Sequence, residues 1–382
     1  MDIEGLKQEF RKLYGSHPQV FRAPGRVNLI GEHTDYNEGF VMPAAIDFST
    51  WAAVASRSDS TFNLRSHSFS EPLSFNLSDG LQPRHDWSDY ALGVIDQIKH
   101  SGQRLSGADI LIHGEVPVGA GLSSSAAIEV AVGLALLTSS GESVDRTQLA
   151  LLCQRAENDF VGMRCGIMDQ FVSCNGKSNH ALMLDCRSLA FELLPLPATT
   201  RMVICNSMVK HQLAAGEYNE RRAACEEGVR ILRRGRPTIK SLRDVSVEDL
   251  ESGRDQLPDV IYRRCRHVVT ENARVQRAAI MLREGNLRGF GELMAQSHTS
   301  LRDDYEVSCR ELDTLVEIAD RQPGLHGARM TGGGFGGCTI NLVSAEHAAD
   351  FRQNVANAYE RAAGLVPEIY ISTAADGASQ VE

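Results

Sequence analysis

The sequence predicts an α+β protein of two domains, with mixed sheets and helices and so a cleft between the domains. At about 150 residues per domain, a chain of 382 residues is long enough for two. Short apolar or alternating runs broken by Gly, Pro, Ser and Asp dominate the first half, whereas helix-spaced apolar residues dominate the second. Pro195 and Pro197 interrupt the pattern between residues 185 and 200, so the domains are expected to be 1–190 and 191–382.

Taken in order, Leu6, Phe10 and Leu13 recur at helical intervals up to Gly15, which predicts an amphipathic entry helix over Glu4–Tyr14. Strands are expected at Val27–Ile30, Trp51–Ala55, Thr61–Leu64 and Asp109–His113. The last runs through a Gly-rich stretch into the longest apolar helical pattern, Ala126–Leu137, which is apolar nearly all round and so belongs inside a domain. A helix over about Arg146–Phe160 leads to a bend at Gly162–Phe171 and to strands at Ala181–Leu184 and Met202–Cys205. Helices follow at Glu217–Arg234, Val260–Glu284, Leu287–Ser300 and Cys309–Arg321, with a long loop at Gly235–Pro258. A Gly-rich turn at Gly332–Gly337, a strand at Thr339–Val343, a last helix and a strand at Glu368–Ser372 complete the chain.

Composition narrows the functional classes. Hydrophobic residues are 42%, and the 33 glycines lift the total to about half, the usual share of a globular protein. With 39 Lys and Arg against 49 Asp and Glu, the net charge of −10 disfavours diffuse binding to nucleic acid or an anionic membrane. An anionic substrate then needs a local positive site. Nine scattered cysteines with no C-x-x-C spacing argue against a disulfide framework or zinc finger and point to a reducing, cytoplasmic setting. Met1-Asp2-Ile3-Glu4 is acidic, and no apolar run reaches about 18 residues, so neither an export nor a spanning segment is expected. Cys165 and Cys338 are read as packing residues. The oligomeric state is left open; a monomer is compatible.

The phosphate-binding candidate is Pro117 to Ala127, where Gly119, Ala120, Gly121, Leu122, Ser123, Ser124 and Ser125 lead directly into the buried helix. Small residues let a ligand approach the backbone, and a helix start offers unpaired N–H groups at the positive dipole end. A single Ser N-cap is the plainer explanation, yet three consecutive serines exceed what one cap needs. Other nucleotide motifs fail. Gly176-Lys177-Ser178 has Phe171 where a Walker loop needs Gly, and the glycine run at 332–337 precedes a strand instead of the helix a Rossmann site requires.

The polar cluster Gly31-Glu32-His33-Thr34-Asp35-Tyr36-Asn37 follows a strand and a Gly. Neighbours on an extended chain point to opposite faces, which makes Glu32, His33 and Asp35 an awkward metal set. A ring carrying several hydroxyls suits these donors and acceptors better, unless they only cap their own loop. Asp169, in the apolar run Gly166-Ile167-Met168-Asp169-Gln170-Phe171, is either an exposed cap or has a cationic partner.

These residues resemble the galactokinases, a family of the GHMP small-molecule kinases. G-R-V-N-L-I-G-E-H-T-D-Y-N at Gly25–Asn37, P-x-G-x-G-L-S-S-S-A at Pro117–Ala126 and the glycine run before Cys338 stand in the family's order. Further matches, at Ala156-Glu157, Cys165–Phe171, Leu213–Tyr218, Arg266–Asn272 and Ser297-His298, extend the resemblance over nearly the whole chain. Glu38 stands where Gly is common. The resemblance implies a two-domain GHMP kinase fold with its active site between the domains, ATP and Mg²⁺, and transfer of phosphate to the C1 hydroxyl of D-galactose. It implies Asp169 as the base and Arg26 as its partner and phosphoryl stabiliser. Glu32, His33, Thr34, Asp35, Gly166 and Tyr218 line the sugar pocket by the same comparison, residues 119–125 cradle the phosphates, and Ser125 and Glu157 hold Mg²⁺. A sister kinase for another sugar, or a sugar- and ATP-binding regulator without turnover, are the competing readings; the intact serine loop with Asp169, Arg26 and Glu157 argues against the regulator.

Overall fold

The computed structural model describes residues 3–69, 71–209 and 214–381; Met1, Asp2 and Leu213, used above, lie outside them. The chain begins α1 (Ile3–Tyr14), β1 (Gln19–Asn28), β2 (Phe40–Val41), β3 (Pro43–Ser56), β4 (Thr61–Ser66), β5 (Leu73–Asn76) and α2 (Ser88–His100). It continues β6 (Ala108–Gly114), α3 (Ser124–Ser139), α4 (Arg146–Arg155), α5 (Met168–Asn175), β7 (His180–Asp185), β8 (Phe191–Pro195) and β9 (Thr200–Asn206). Next come α6 (Ala214–Gly235), α7 (Val247–Ser252), α8 (Asp259–Arg283), α9 (Leu287–Asp303) and α10 (Arg310–Ala319). The chain closes with β10 (Leu325–Thr331), β11 (Cys338–Ser344), α11 (Ala348–Ala363), β12 (Glu368–Ser372) and β13 (Ser379–Val381).

Three sheets result. The first has the order β13-β1-β3-β6-β4-β5, with β4 and β6 parallel and the other pairs antiparallel. The second is antiparallel, β10-β11-β9-β12, and the third is β2-β7-β8. The final strand thus returns to pair with β1 in the first sheet. Among the described residues no helix is long and apolar enough to cross a membrane.

Helix α3 packs on β1 and β3, as its all-round apolar pattern requires, with Val130, Ala131, Val132 and Ala135 fully buried. Each such valine contributes about 1.5–3 kcal/mol of transfer free energy. Gly133 lets α4 come close: a Cβ there would sit 2.7 Å from the Leu149 side chain. The helix therefore holds a fixed position on the sheet, and the serine loop leads into its N-terminus at Ser124.

Three expectations need correction. The bend over Gly162–Phe171 ends at Ile167, because Met168–Asn175 form α5. The segment Gly235–Pro258 is not a plain loop: two Ser-x-x-Asp capping boxes, Ser241/Asp244 and Ser246/Asp249, start a short turn and α7. Buried Leu242, Val245, Leu250 and Leu257 pin it to the core. The strand at Val27–Ile30 stops at Asn28, since the chain then turns into the polar cluster. Glu38, the departure from the family pattern, has φ +58°, a left-handed conformation that favours Gly, and its carboxylate meets Arg187 at 2.7 Å.

Candidate active site

A cavity of about 440 Å³ lies among the serine loop, the polar cluster, the N-terminus of α5 and the glycine run. Strand β1 aims the first functional group into it. The ladder to β3 shifts register between Pro24 and Arg26, and the Arg26 N–H donates instead to Leu122 O at 3.0 Å. Gly25 permits this approach, because a Cβ there would lie 2.6 Å from that same oxygen. The bulge thus ties the strand to the serine loop and turns the Arg26 side chain toward α5.

Arg26 grips Asp169 in a two-pronged pair, Nε to Oδ1 and Nη2 to Oδ2, both 2.7 Å, and its Nη1 donates to Gly121 O at 2.5 Å. Burial alone would lower the Arg26 pKa, but Asp169 raises it above the ordinary value. Asp169 stands in the first turn of α5, where the helix dipole favours a carboxylate. Ser123 also donates to Asp169 Oδ2. The open choice between cap and paired acid is resolved: Asp169 is paired, yet its side chain stays 26% exposed to the cavity against 7% for Arg26.

The serine loop has the shape an anion needs. Gly119 and Gly121 have φ +74° and +73°, and Ser123, at φ +59°, precedes the first helical residue Ser124. Ala127 N reaches back to Ser123 O at 3.1 Å, which leaves the first-turn N–H groups without intrahelical acceptors. Gly119, Gly121, Leu122 and all three serines line the cavity; Ala120 is buried behind them.

Beside Ser125 lies an acidic pair short of positive charge. Glu157, on a π-helical turn (Ala156–Val161), is hydrogen-bonded to Ser125 and accepts from Gln170 Nε2 at 2.6 Å, and the same amide donates to the fully buried Glu129 at 2.9 Å. Burial, then the neighbouring Asp169, pushes Glu157 up to about 7, and burial with Glu157 pushes Glu129 well above its usual range. Glu129 Oε1 has no hydrogen-bond partner. Among the described residues no three His, Cys, Asp or Glu are grouped to hold a metal, but a serine hydroxyl with an under-compensated carboxylate is a donor set that suits a hard divalent cation sharing its shell with phosphates and water.

Along the same cavity the polar cluster divides into facing and supporting residues. Asp35 faces the cavity and is pushed up to about 7 by burial and by Asp169. Gly166 lies so close that a Cβ there would overlap the Asp35 carboxylate. Tyr218 from α6 adds its ring, 5.5 Å from His33. Glu32 is held from several sides: Oε2 accepts from Asn28 Nδ2 at 2.6 Å and Arg329 Nη2 at 3.0 Å, and Oε1 accepts from Gly332 N at 2.6 Å. Thr34 is absent from the cavity wall. Its buried hydroxyl lies 2.9 Å from Gly31 O and 2.6 Å from Phe40 O, so it ties the loop together.

Sequence reasoning missed the residues of β10. Arg329, fully buried, and Thr331 bind the Asn28 carbonyl at 2.8 and 3.1 Å, joining the first and second sheets directly under the site. It also missed the apolar rim, where Phe69 and Trp87 stack with ring centroids 5.2 Å apart beside Tyr90 and Val118. No motif carries these residues; only the cavity assembles them.

Comparison with known proteins agrees with this geometry. The galactokinase galactose-binding signature matches residues 8–56, and the N-terminal and C-terminal domains of GHMP kinases match residues 89–177 and 278–361. A galactokinase of Roseiflexus sp. (strain RS-1) is 44% identical over 382 residues, covering 100% of this chain and 98% of its own. The crystal structure of Lactococcus lactis galactokinase complexed with galactose superposes with a TM-score of 0.95 at 38% identity, over 99% of this chain and 100% of that one. Methanococcus jannaschii mevalonate kinase shares the fold, with a TM-score of 0.67 at 18% identity over 95% and 100% of the two chains. The chain belongs to the galactokinase family, ATP-dependent sugar kinases of the GHMP fold.

Proposed function

We propose that this chain transfers the γ-phosphoryl group of ATP to the C1 hydroxyl of D-galactose, giving α-D-galactose 1-phosphate. The observation that carries the reading is a cavity with a paired but reachable carboxylate, Asp169, between an anion-binding helix start and a hydroxyl-reading loop. The sugar lies against Asp35, the Gly166 backbone and Tyr218, with Glu32, held by its three donors, in the wall behind them. Thr34 and His33 act in the sugar loop itself. Phosphates rest on the N–H groups at the start of α3, and the Trp87–Phe69 stack offers a flat apolar surface for the nucleotide base.

Phosphoryl transfer depends chiefly on alignment and charge neutralisation. Asp169 takes the proton from the C1 hydroxyl as the oxygen bonds to phosphorus. Arg26 holds that carboxylate turned toward the cavity through its two hydrogen bonds, and its charge offsets that developing on the phosphoryl oxygens. Ser123 restrains Asp169 from the phosphate side. Ser125 and Glu157 would hold Mg²⁺, which when bound neutralises phosphate charge.

The test is ATP consumption by purified protein with Mg²⁺ and, separately, galactose, glucose, N-acetylgalactosamine, arabinose or no sugar. Turnover with galactose well above the rest, yielding a sugar 1-phosphate, is the expected result. A pocket that pairs its polar groups with particular hydroxyls discriminates sharply against sugars lacking them. Galactose and ATP binding without turnover would replace the enzyme reading with a sensor.

A further inference from the structure

We propose that Tyr36 and Tyr305 are positioning residues of the sugar site, their hydroxyls acting in series to hold His33 as its Nε2–H tautomer and, through it, the Gly333 carbonyl at the cavity wall. The direction of every bond in the series follows from its end. A backbone carbonyl only accepts, so the contact of His33 Nε2 with Gly333 O, 3.2 Å, requires the proton on Nε2. Nδ1 is then an acceptor, and the Tyr36 hydroxyl, 2.7 Å away, donates to it. Having given its proton, the Tyr36 oxygen accepts from the Tyr305 hydroxyl at 2.8 Å, and the Cys225 thiol at 3.3 Å completes the series. Tyr305 and Cys225 are buried, so no water is needed to satisfy the chain.

This arrangement removes both ring nitrogens of His33 from direct use by a sugar and gives the residue another task. Its neighbour Glu32 accepts from Gly332 N at 2.6 Å, so two consecutive residues of the sugar loop grip two consecutive glycines. A Cβ on Gly332 would lie 3.3 Å from Gly121 O, the oxygen that accepts from Arg26 at 2.5 Å. The glycine run is therefore a spacer between the sugar loop and the phosphate loop, and the tyrosine pair fixes one end of it. His33 itself adopts φ +62°, a left-handed conformation that a non-glycine residue keeps only when neighbours hold it. The titratable and charged groups around it are Tyr36, Tyr305, Tyr218, His267, Arg221 and Arg329, and burial with His267 lowers its pKa to about 3.

The proposal rests on galactose being the sugar, and one readout is independent of that. In full-length protein labelled with ¹⁵N-histidine, with His33 assigned by comparison with His33→Gln, His33 is expected as a single Nε2–H tautomer that does not titrate between about pH 5 and 8. In Tyr36→Phe the Nδ1 acceptor loses its donor; His33 is expected to populate both tautomers and KM for galactose to rise about tenfold, with kcat falling less than about threefold. Tyr305→Phe keeps the Tyr36–His33 bond, so smaller shifts in the same direction are expected, and this variant serves if Tyr36→Phe does not fold. An Nδ1–H tautomer in the wild type, or an unchanged tautomer and KM in the folded variants, overturns the proposal. Absence of any turnover with galactose in the wild type would instead overturn the substrate reading and leave the nitrogen spectrum to judge the relay.

Discussion

Two arginine–carboxylate pairs stand beside one cavity and do opposite work. Arg329–Glu32 is sealed, with side chains 0% and 2% exposed, and it joins β10 of the second sheet to the loop after β1 of the first. Arg26–Asp169 joins β1 to α5, but its carboxylate is 26% exposed. A sealed pair with every oxygen occupied is an anchor: removing one partner leaves an uncompensated buried charge. A pair with one accessible edge holds its carboxylate in place and still leaves it open to a ligand's hydroxyl. Depth thus distinguishes a buried anchor from a carboxylate that a ligand can reach.

The largest effect expected is on the open pair. Asp169→Asn keeps the size of the side chain but replaces one acceptor oxygen with a donor and removes the counter-charge of Arg26, so the protein should fold with a lowered Tm and lose about 10³-fold or more in kcat; wild-type-like turnover would remove Asp169 from its role. Arg329→Met should do the reverse in character, lowering stability by about 3 kcal/mol, read as a fall in denaturant midpoint. Retained stability there would mean that Glu32 is neutralised by other means.

A smaller effect concerns protons. Asp35 and Glu157 rise from ordinary values of 3.8 and 4.5 to about 7 in the folded chain. Raised acids bind more protons in the folded than in the unfolded state, so their stabilising contribution is present below pH 4 and is lost as pH rises to about 7. Asp35→Asn should flatten this decline by about 1–2 kcal/mol and make the ligand-free protein relatively more stable at pH 8 than the wild type. Thermal melts across pH without nucleotide or sugar test it, and parallel curves for the two proteins would contradict it. Smallest is Ser123→Ala, which removes one of three donors to Asp169. A fall of about fivefold in kcat/KM is expected, about 1 kcal/mol, and steady-state rates at saturating ATP would show whether the arginine alone orients the acid.

Much of this was readable in one dimension. Helix α3 follows from an apolar pattern long enough to exclude a surface strand, and the serine loop before it follows from small residues that no core strand needs. Asp169 stood out because a charge in an apolar run must be explained. The pairing with Arg26 was different: it came from family resemblance, because 143 positions separate the two residues and no local pattern connects them. The capping boxes at Ser241 and Ser246 were visible in the sequence and overlooked, since few apolar residues marked the segment as helical.

Local chemistry, then, marked the serine loop and the polar cluster as candidate ligand sites and determined which helices are buried, because backbone preference and side-chain polarity act over a few residues. Tertiary structure alone decided that Thr34 supports the loop while Asp35 faces the cavity, that Glu32 is sealed by Arg329 while Asp169 stays reachable, and that a tyrosine pair orients His33. Burial, proximity and hydrogen-bond direction are properties of neighbours in space, and those of Glu32 and His33 lie up to 300 positions away in the chain.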